Sequence, residues 1–357
     1  MVKLFKSSYR DKKVLLTGHT GFKGSWLAIW LNELGADVVG YALDPKNEKD
    51  NFLVTGLSDK IKDIRANIRD KEKLMQVFRE EKPEIVFHLA AQPLVLESYA
   101  NPLDTFDTNI MGTANVLEAI RQTDSVHTGI MITSDKCYEN KEQIWGYRER
   151  DPMGGHDPYS ASKGAAELVI QSYRKSFGEK EKKAIASARA GNVIGGGDWS
   201  DYRLIPDIIK AIQSGRTIEL RNPSATRPWQ HVLEPLAGYL MLGAKMMGEP
   251  EKYAEAWNFG PYPNDIYPVK EVVDKMIKKL NKGQWKDISN PNQLHEANLL
   301  TLDITKALTK LNWKPVLSFD ETIDLTIDWY KNYSTHPDMY EFCKNQIKEY
   351  QHKMEHR

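Results

Sequence analysis

A phenol and an ammonium stand four positions apart in Tyr159-Ser160-Ala161-Ser162-Lys163, directly after the turn-forming pair Asp157-Pro158. On a helix these two side chains share a face, one turn apart. A cation held there favours the phenolate, drawing a tyrosine that ordinarily ionises near pH ~10 toward a base usable at neutral pH. An ordinary helix start with a surface lysine has the same pattern, so the surroundings decide. A second chemical feature is the glycine-rich Gly18-His19-Thr20-Gly21-Phe22-Lys23-Gly24, and a third is Ser134-Asp135-Lys136, which puts a hydroxyl, a carboxyl and an amine in succession.

Each of these groups needs an element to hold it. Residues 13–17 form a short apolar strand, 25–34 an apolar-periodic helix and 37–44 a second strand that ends in Asp44. Strand, glycine-rich turn, helix and strand make a βαβ unit, the building block of a parallel sheet covered by helices. In such a turn Gly18, Gly21 and Gly24 let the backbone approach a pyrophosphate, and the helix N-terminus stabilises its charge. Asp44, twenty residues after Gly24, can accept hydrogen bonds from both ribose hydroxyls and repel a 2′-phosphate, which favours NAD over NADP. A tight turn in some other α/β protein is the competing reading.

The alternation continues with strands at 63–67, 84–91, 129–134 and 183–189 and helices at 70–81, 101–123 and 159–177. It predicts an α/β fold with a doubly wound parallel sheet of the Rossmann kind and a smaller α/β substrate-binding lobe. Residues 1–190, joined by 232–262 with a helix at 235–247 and a strand at 257–260, are assigned to the dinucleotide domain. Residues 191–231 and 263–335 are assigned to the lobe and the polar 336–357 to a peripheral helix. Ser134 to Lys136, following a strand, would then lie at the carboxyl edge of the sheet, where ligands of open α/β folds bind.

Composition removes several alternatives. Lys+Arg and Asp+Glu balance at 49 each in 357 residues, without a long block of one sign, so nucleic acid and membrane surfaces are poor partners. No stretch approaches the ~18 apolar residues of a membrane span, and residues 1–13 carry no apolar signal core, so a soluble, cytoplasmic protein is expected. Two cysteines, Cys137 and Cys343, are too few for a disulfide framework or a zinc site, and no metal is expected. Cys137 reads as a small buried hydrophobe rather than a nucleophile.

Thr17 to Gly24 together with Tyr159-x-x-x-Lys163 resembles the extended short-chain dehydrogenase/reductase family, whose members act mainly on nucleotide sugars, and order and spacing match over residues 13–315. Four stretches are similar to its sugar-nucleotide 4,6-dehydratases: His88 to Val95, Thr133 to Tyr138, Arg203 to Asp207 and Arg227 to Val232. The resemblance implies NAD as cofactor and contacts to it from Gly18, His19, Thr20, Gly21, Phe22, Gly24, Asp44, Asn67, Ile68, Leu89, Ala90, Gln92, Thr133, Tyr159 and Lys163. Asn67 and Ile68 would meet the adenine, and Asn109 would support the active-site helix. Relatives carry a small residue where this chain has His19, so a bulky imidazole is expected to crowd the pyrophosphate and loosen NAD.

The implied reaction removes hydride from C4 of a hexose, eliminates water across C5 and C6, and returns the hydride to C6. Tyr159, aided by Lys163, would take the 4-hydroxyl proton while Ser134 hydrogen-bonds that oxygen. Asp135 would protonate O6, provided burial keeps it protonated. Lys136 stands where many relatives have Glu, a Lys-for-Glu replacement that resembles the CDP-glucose branch, and is the candidate base at C5. A loop-capping Asp-Lys ion pair is the bland alternative. By the same resemblance Asn192, Arg203, Leu204, Arg221, Arg227 and, after His295, Glu296 are substrate contacts, with CDP-glucose as the expected sugar nucleotide. Guanidinium groups suit a diphosphate, and Gly195 to Gly197 would let backbone pass close to ligand, a plain surface loop being the competing reading. His231 reads as a core histidine. A dimer through helices 101–123 and 159–177 and a supply of deoxysugar for lipopolysaccharide are also implied. Two rivals stay open: a 4-epimerase, which needs no acid at O6, and a non-catalytic dinucleotide-binding protein.

Overall fold

The structure, a computed structural model, describes residues 2–290 and 299–356. Its centre is a parallel sheet of β1 (Lys13–Thr17), β2 (Asp37–Ala42), β3 (Lys62–Arg65), β4 (Ile85–His88), β5 (Thr128–Ile132), β6 (Ala184–Ala190) and a seventh strand, Ala256–Phe259. From one edge the order is Ala256–Phe259, β6, β5, β4, β1, β2, β3. Chain direction across the sheet reverses between β4 and β1, the kind of point beyond whose carboxyl ends ligands bind.

Apolar runs become strands here because helices cover both faces of the sheet. Successive side chains point to opposite faces, so Val14 and Leu16 of β1, Ile85 and Phe87 of β4 and Ile130 of β5 enter one core layer. Their neighbours Leu15, Val86 and Met131 enter the other. The chain leaves this sheet after β6 and builds three two-stranded ribbons: Val193–Ile194 with Gln230–His231, Thr226–Arg227 with Tyr267–Pro268, and Ile218–Leu220 with Trp285–Asp287. It returns through the helix Leu233–Gly248 to the strand Ala256–Phe259, which pairs with β6.

Two elements differ from the sequence expectation. The helix at 101–123 is built as Pro102–Phe106, a π turn at Asp107–Met111 and Gly112–Gln122; Pro102 restarts the chain at N1, and the π turn re-aims Asn109 into the interior. The polar 336–357 forms the helix Met339–His356, which is not peripheral: Tyr340, Cys343, Ile347, Tyr350 and Met354 recur on one face and are buried. That face covers Phe22–Glu33, where Trp30 meets Tyr350 edge-on at 5.8 Å and Asn32 donates to the Tyr340 hydroxyl at 2.7 Å. The covering explains why Phe22–Glu33 is buried nearly all round rather than along one stripe. Among the described residues no helix is long and apolar enough to cross a membrane.

Candidate active site

Gly18 turns the chain out of β1 with φ +77°. A Cβ there would lie 2.7 Å from the Ala90 backbone nitrogen, and one at Gly24 would lie 2.0 Å from the Gly18 carbonyl oxygen, so the turn closes this tightly only with glycine at both. It ends at the N-terminus of Phe22–Glu33, where Gly21 offers no side-chain cap and the first amides are available to an anion. Thr20 donates to the Leu43 carbonyl at 2.9 Å. Just beyond β2, Asp44 is 87% exposed, with an Arg65 nitrogen 3.9 Å away. Ile68 is buried against Gly112, and the Asn67 carbonyl accepts from Tyr41.

His19 does not crowd this turn. Its ring is fully buried on the other side, in a slot that exists because residue 40 is glycine: a Cβ at Gly40 would come within 2.4 Å of it. There it meets Phe52 edge-on and bonds Asp63 Oδ1 through Nε2 at 2.7 Å. Burial lowers its pKa and Asp63 opposes the shift. The steric reason for loosely held NAD is therefore absent.

At the carboxyl edge, Ser134 caps the single turn Asp135–Cys137 by accepting from the Lys136 amide at 3.2 Å, and donates to Asp135 Oδ1 at 2.9 Å. Asp135 is 2% exposed and its Oδ2, facing Gly191, has no hydrogen-bond partner. A buried carboxylate oxygen without a partner is costly, and burial accordingly pushes the carboxyl up, against Lys136, Ser134 and Arg227. Tyr159 follows the cap Asp157 on the helix Pro158–Tyr173, with the Ser134 hydroxyl near enough to influence its phenol.

Burial drives Tyr159 up to about 12, with Ser134 and the Arg203 charge pulling the other way. Burial drives Lys163 down to about 8. The expected depression of the phenol is thus outweighed by desolvation in the chain alone. Of the two, Lys163 is therefore the first to lose its proton, at about 8. Lys23, inside the glycine-rich turn, adds another cation; burial, then Lys163 and Arg203, bring it to about 7, and it donates to the Tyr239 hydroxyl at 3.0 Å. Its signal in the sequence is a lysine standing between Gly21 and Gly24 of the turn.

Loop and helix are tied together behind these groups. Asn109 accepts from the Gln92 amide at 2.8 Å and donates to the Gln92 carbonyl and to Ser162 Oγ, while Leu89 and Ala90 bond the end of β1. Glu167, two turns after Tyr159, pairs with Arg189 of β6 at 2.7 Å, both almost fully buried. Thr133 and Ser187 also donate to Glu167, and Arg189 donates to the Tyr138 hydroxyl. The network grips both flanks of Ser134 to Lys136. Arg189→Leu leaves the Glu167 charge buried and unpaired and is expected to lower stability by about 3–5 kcal/mol, measured by denaturant unfolding.

The substrate-side residues divide. Arg227, 8% exposed, places its charge against Asp135. Arg203 is held by Asp198 at 2.8 Å with its charge on Tyr159, nearer the reacting end than a remote clamp would be. Leu204 begins the helix Leu204–Gln213, Asn192 receives the Gln230 amide through its backbone oxygen, and Arg221 lies within reach of Asp207. Gly195 to Gly197 are required by internal packing: a Cβ at Gly196 would sit 1.9 Å from the Trp329 ring and one at Gly197 2.4 Å from Asn51 Cβ. Glu296 and His295 lie outside the described residues. His231 and Cys137 are wholly buried. Among the described residues no three His, Cys, Asp or Glu side chains are arranged to hold a metal.

The sequence profile of GDP-mannose 4,6 dehydratase matches residues 15–326. CDP-glucose 4,6-dehydratase of Salmonella typhimurium is 46% identical over 97% of this chain and 98% of its own. Human dTDP-D-glucose 4,6-dehydratase is 26% identical over 90% of each chain. Among solved structures, dTDP-glucose 4,6-dehydratase of Streptomyces venezuelae, with NAD bound, superposes with TM-score 0.79 at 21% identity over 92% of this chain and 99% of that one. An epimerase of Methanothermobacter thermautotrophicus gives 0.80 at 24% over 96% and 97%.

Proposed function

The chain belongs to the GDP-mannose 4,6-dehydratase family, and from that membership and the geometry of the site we propose that it converts CDP-D-glucose to CDP-4-keto-6-deoxy-D-glucose with NAD as a recycled cofactor. The glycine cradle fits a dinucleotide: Gly18, Thr20, Gly21, Phe22 and Gly24 surround the pyrophosphate position, Asp44 takes the ribose, Asn67 and Ile68 the adenine, and Leu89, Ala90, Gln92 and Thr133 line the way to Tyr159 and Lys163. When bound, NAD supplies a hydride acceptor and gives the same hydride back.

Tyr159 takes the 4-hydroxyl proton, Lys163 and Arg203 stabilise the charge this leaves on the phenol, and Ser134 steadies the oxygen as it becomes a ketone. The ketone acidifies the C5 proton, which Lys136 accepts and gives back to C5 once C6 has been reduced. Asp135 gives its proton to O6 as water leaves. The observation that carries this reading is the orphaned, buried Oδ2 of Asp135 beside Ser134, a carboxyl whose proton burial favours where a leaving hydroxyl would need an acid; a 4-epimerase has no use for it. Arg227, Asn192, Arg203 with Leu204, Arg221 and Glu296 bind the nucleotide diphosphate. We place the product in cytoplasmic deoxysugar supply for lipopolysaccharide. Incubation with CDP-glucose and trace NAD tests the reading: a 4-keto-6-deoxy sugar nucleotide, seen by NMR and mass, is expected, and recovery of the C4 epimer without loss of water overturns it.

The pair's first proton sets the pH dependence. kcat/KM is expected to rise with pH through an apparent pKa at or below about 8, where Lys163 sits, and Lys163→Met should move that limb upward toward the tyrosine range. A limb unmoved in the variant assigns it to another group.

A homodimer accounts for the outer faces of the same helices. Leu103 is 80% exposed, Met111 53% and Leu168 57%, an apolar surface that a second copy would cover. Leu168→Glu is expected to yield monomers in sedimentation, with wild type sedimenting as a dimer.

A further inference from the structure

His88 closes β4 with its ring buried between two hydroxyls, Thr17 Oγ1 at 2.7 Å from Nδ1 and Thr113 Oγ1 at 3.1 Å from Nε2. The Thr113 hydroxyl donates its one hydrogen to the Asn109 carbonyl at 2.7 Å. It must therefore accept from the ring, and the proton of His88 is on Nε2. At the other end, Thr17 Oγ1 already accepts from the Ala90 amide at 3.2 Å, and its hydrogen is directed at Nδ1. A second ring proton would leave the Thr17 hydroxyl hydrogen without an acceptor and add a cation near Lys163, whose charge already disfavours one there. Neutral ring and single tautomer follow from hydrogen-bond accounting alone.

The bonds do not stop at Asn109. Its amide group holds Gln92 from both sides and donates to Ser162 Oγ at 2.9 Å, and Ser162 donates to the carbonyl of Tyr159 at 2.7 Å. One buried path of hydrogen bonds thus runs from the residue before Gly18 to the catalytic tyrosine, through two strands and two helices. An apolar side chain at 88 would fill the space and still break the path at both threonines.

We propose that His88 is a positioning residue: its Nε2–H tautomer fixes the spacing between the glycine-rich turn and the helix that carries Tyr159. The proposal rests on the dehydratase reading above. A shift of about 1 Å between cofactor turn and base costs on the order of a hundredfold in rate, whereas the nucleotide of the substrate binds elsewhere and is indifferent to it.

Thr113→Val removes the hydroxyl at nearly constant volume, and Thr113→Ser keeps it. The valine variant is expected to lower kcat, and the single-turnover rate of C4 oxidation, by about tenfold to a hundredfold at unchanged KM for CDP-glucose, with the serine variant restoring wild-type values. In 15N-histidine-labelled protein at pH 7, the ring signal assigned through its shift in Thr113→Val should carry a slowly exchanging proton on Nε2 and none on Nδ1. Lower stability with unchanged kcat, a loss that serine does not restore, or a proton on Nδ1 each overturns the proposal. Should wild type turn over no nucleotide sugar, the dehydratase reading fails instead, and the ring signal alone decides the tautomer.

Discussion

Tyr159→Phe is expected to slow the oxidation at C4 by about 10²- to 10⁴-fold, the usual contribution of a positioned proton acceptor. The effect should be purely chemical. Tyr159 is buried to 8% exposure by packing of its ring, which phenylalanine keeps, and the helix start is fixed separately by Asp157 capping Ser160 at 2.9 Å. What disappears is the hydroxyl near Ser134 and the charge of Arg203. The substrate diphosphate contacts stay, so KM for CDP-glucose should hardly move, as expected for an interaction made chiefly in the transition state. Single-turnover absorbance of reduced nicotinamide measures the step; an undiminished rate would place the base elsewhere.

The extent to which this site is legible in the sequence follows the range of the interactions involved. Thr17 to Gly24 could be read because a tight strand-to-helix turn is largely local: a Cβ at Gly24 would meet the Gly18 carbonyl six residues back, although the one at Gly18 would meet Ala90 beyond the neighbouring strand. Tyr159 and Lys163 could be read because four positions on a helix impose one face. The direction of His19 could not, since it depends on Gly40 leaving a slot and on Asp63 waiting in it, both supplied by neighbouring strands. The same holds for Glu167 and Arg189. Each is an unremarkable charged residue in its own element, and only the pairing of helix with sheet makes them a buried ion pair.

The misreadings share that cause. Residues 336–357 read as a polar peripheral helix, yet a few apolar side chains at helical spacing are enough to cover Phe22–Glu33. Gly195 to Gly197 look like a ligand loop, but the atoms pressing on them belong to Trp329 and Asn51. For Arg203 the sequence could not show that Asp198 holds it with its charge on Tyr159. The phenol itself was expected low and stands at about 12, because desolvation of a buried site outweighs one neighbouring cation until ligand charges enter.

Asp135→Asn separates the two halves of the reaction. The side chain keeps its shape, and the contact with Ser134 can persist with an amide oxygen in the Oδ1 place. Oxidation at C4 needs only Tyr159, Lys163 and Ser134 and should continue. Protonation of O6 needs an acid, and an amide is none, so elimination should fall by about 10²- to 10⁴-fold while reduced nicotinamide accumulates. Stability provides the control. Burial raises the Asp135 carboxyl in the folded chain, so its favourable contribution is present below the unfolded value near ~3.9 and is lost as pH rises through the folded one. At pH 7 the asparagine carries no such penalty, and the variant should unfold no earlier than wild type. A stable protein that traps reduced cofactor and releases no 4-keto-6-deoxy sugar is the expected result; near-normal product from the same variant would remove Asp135 from the dehydration step.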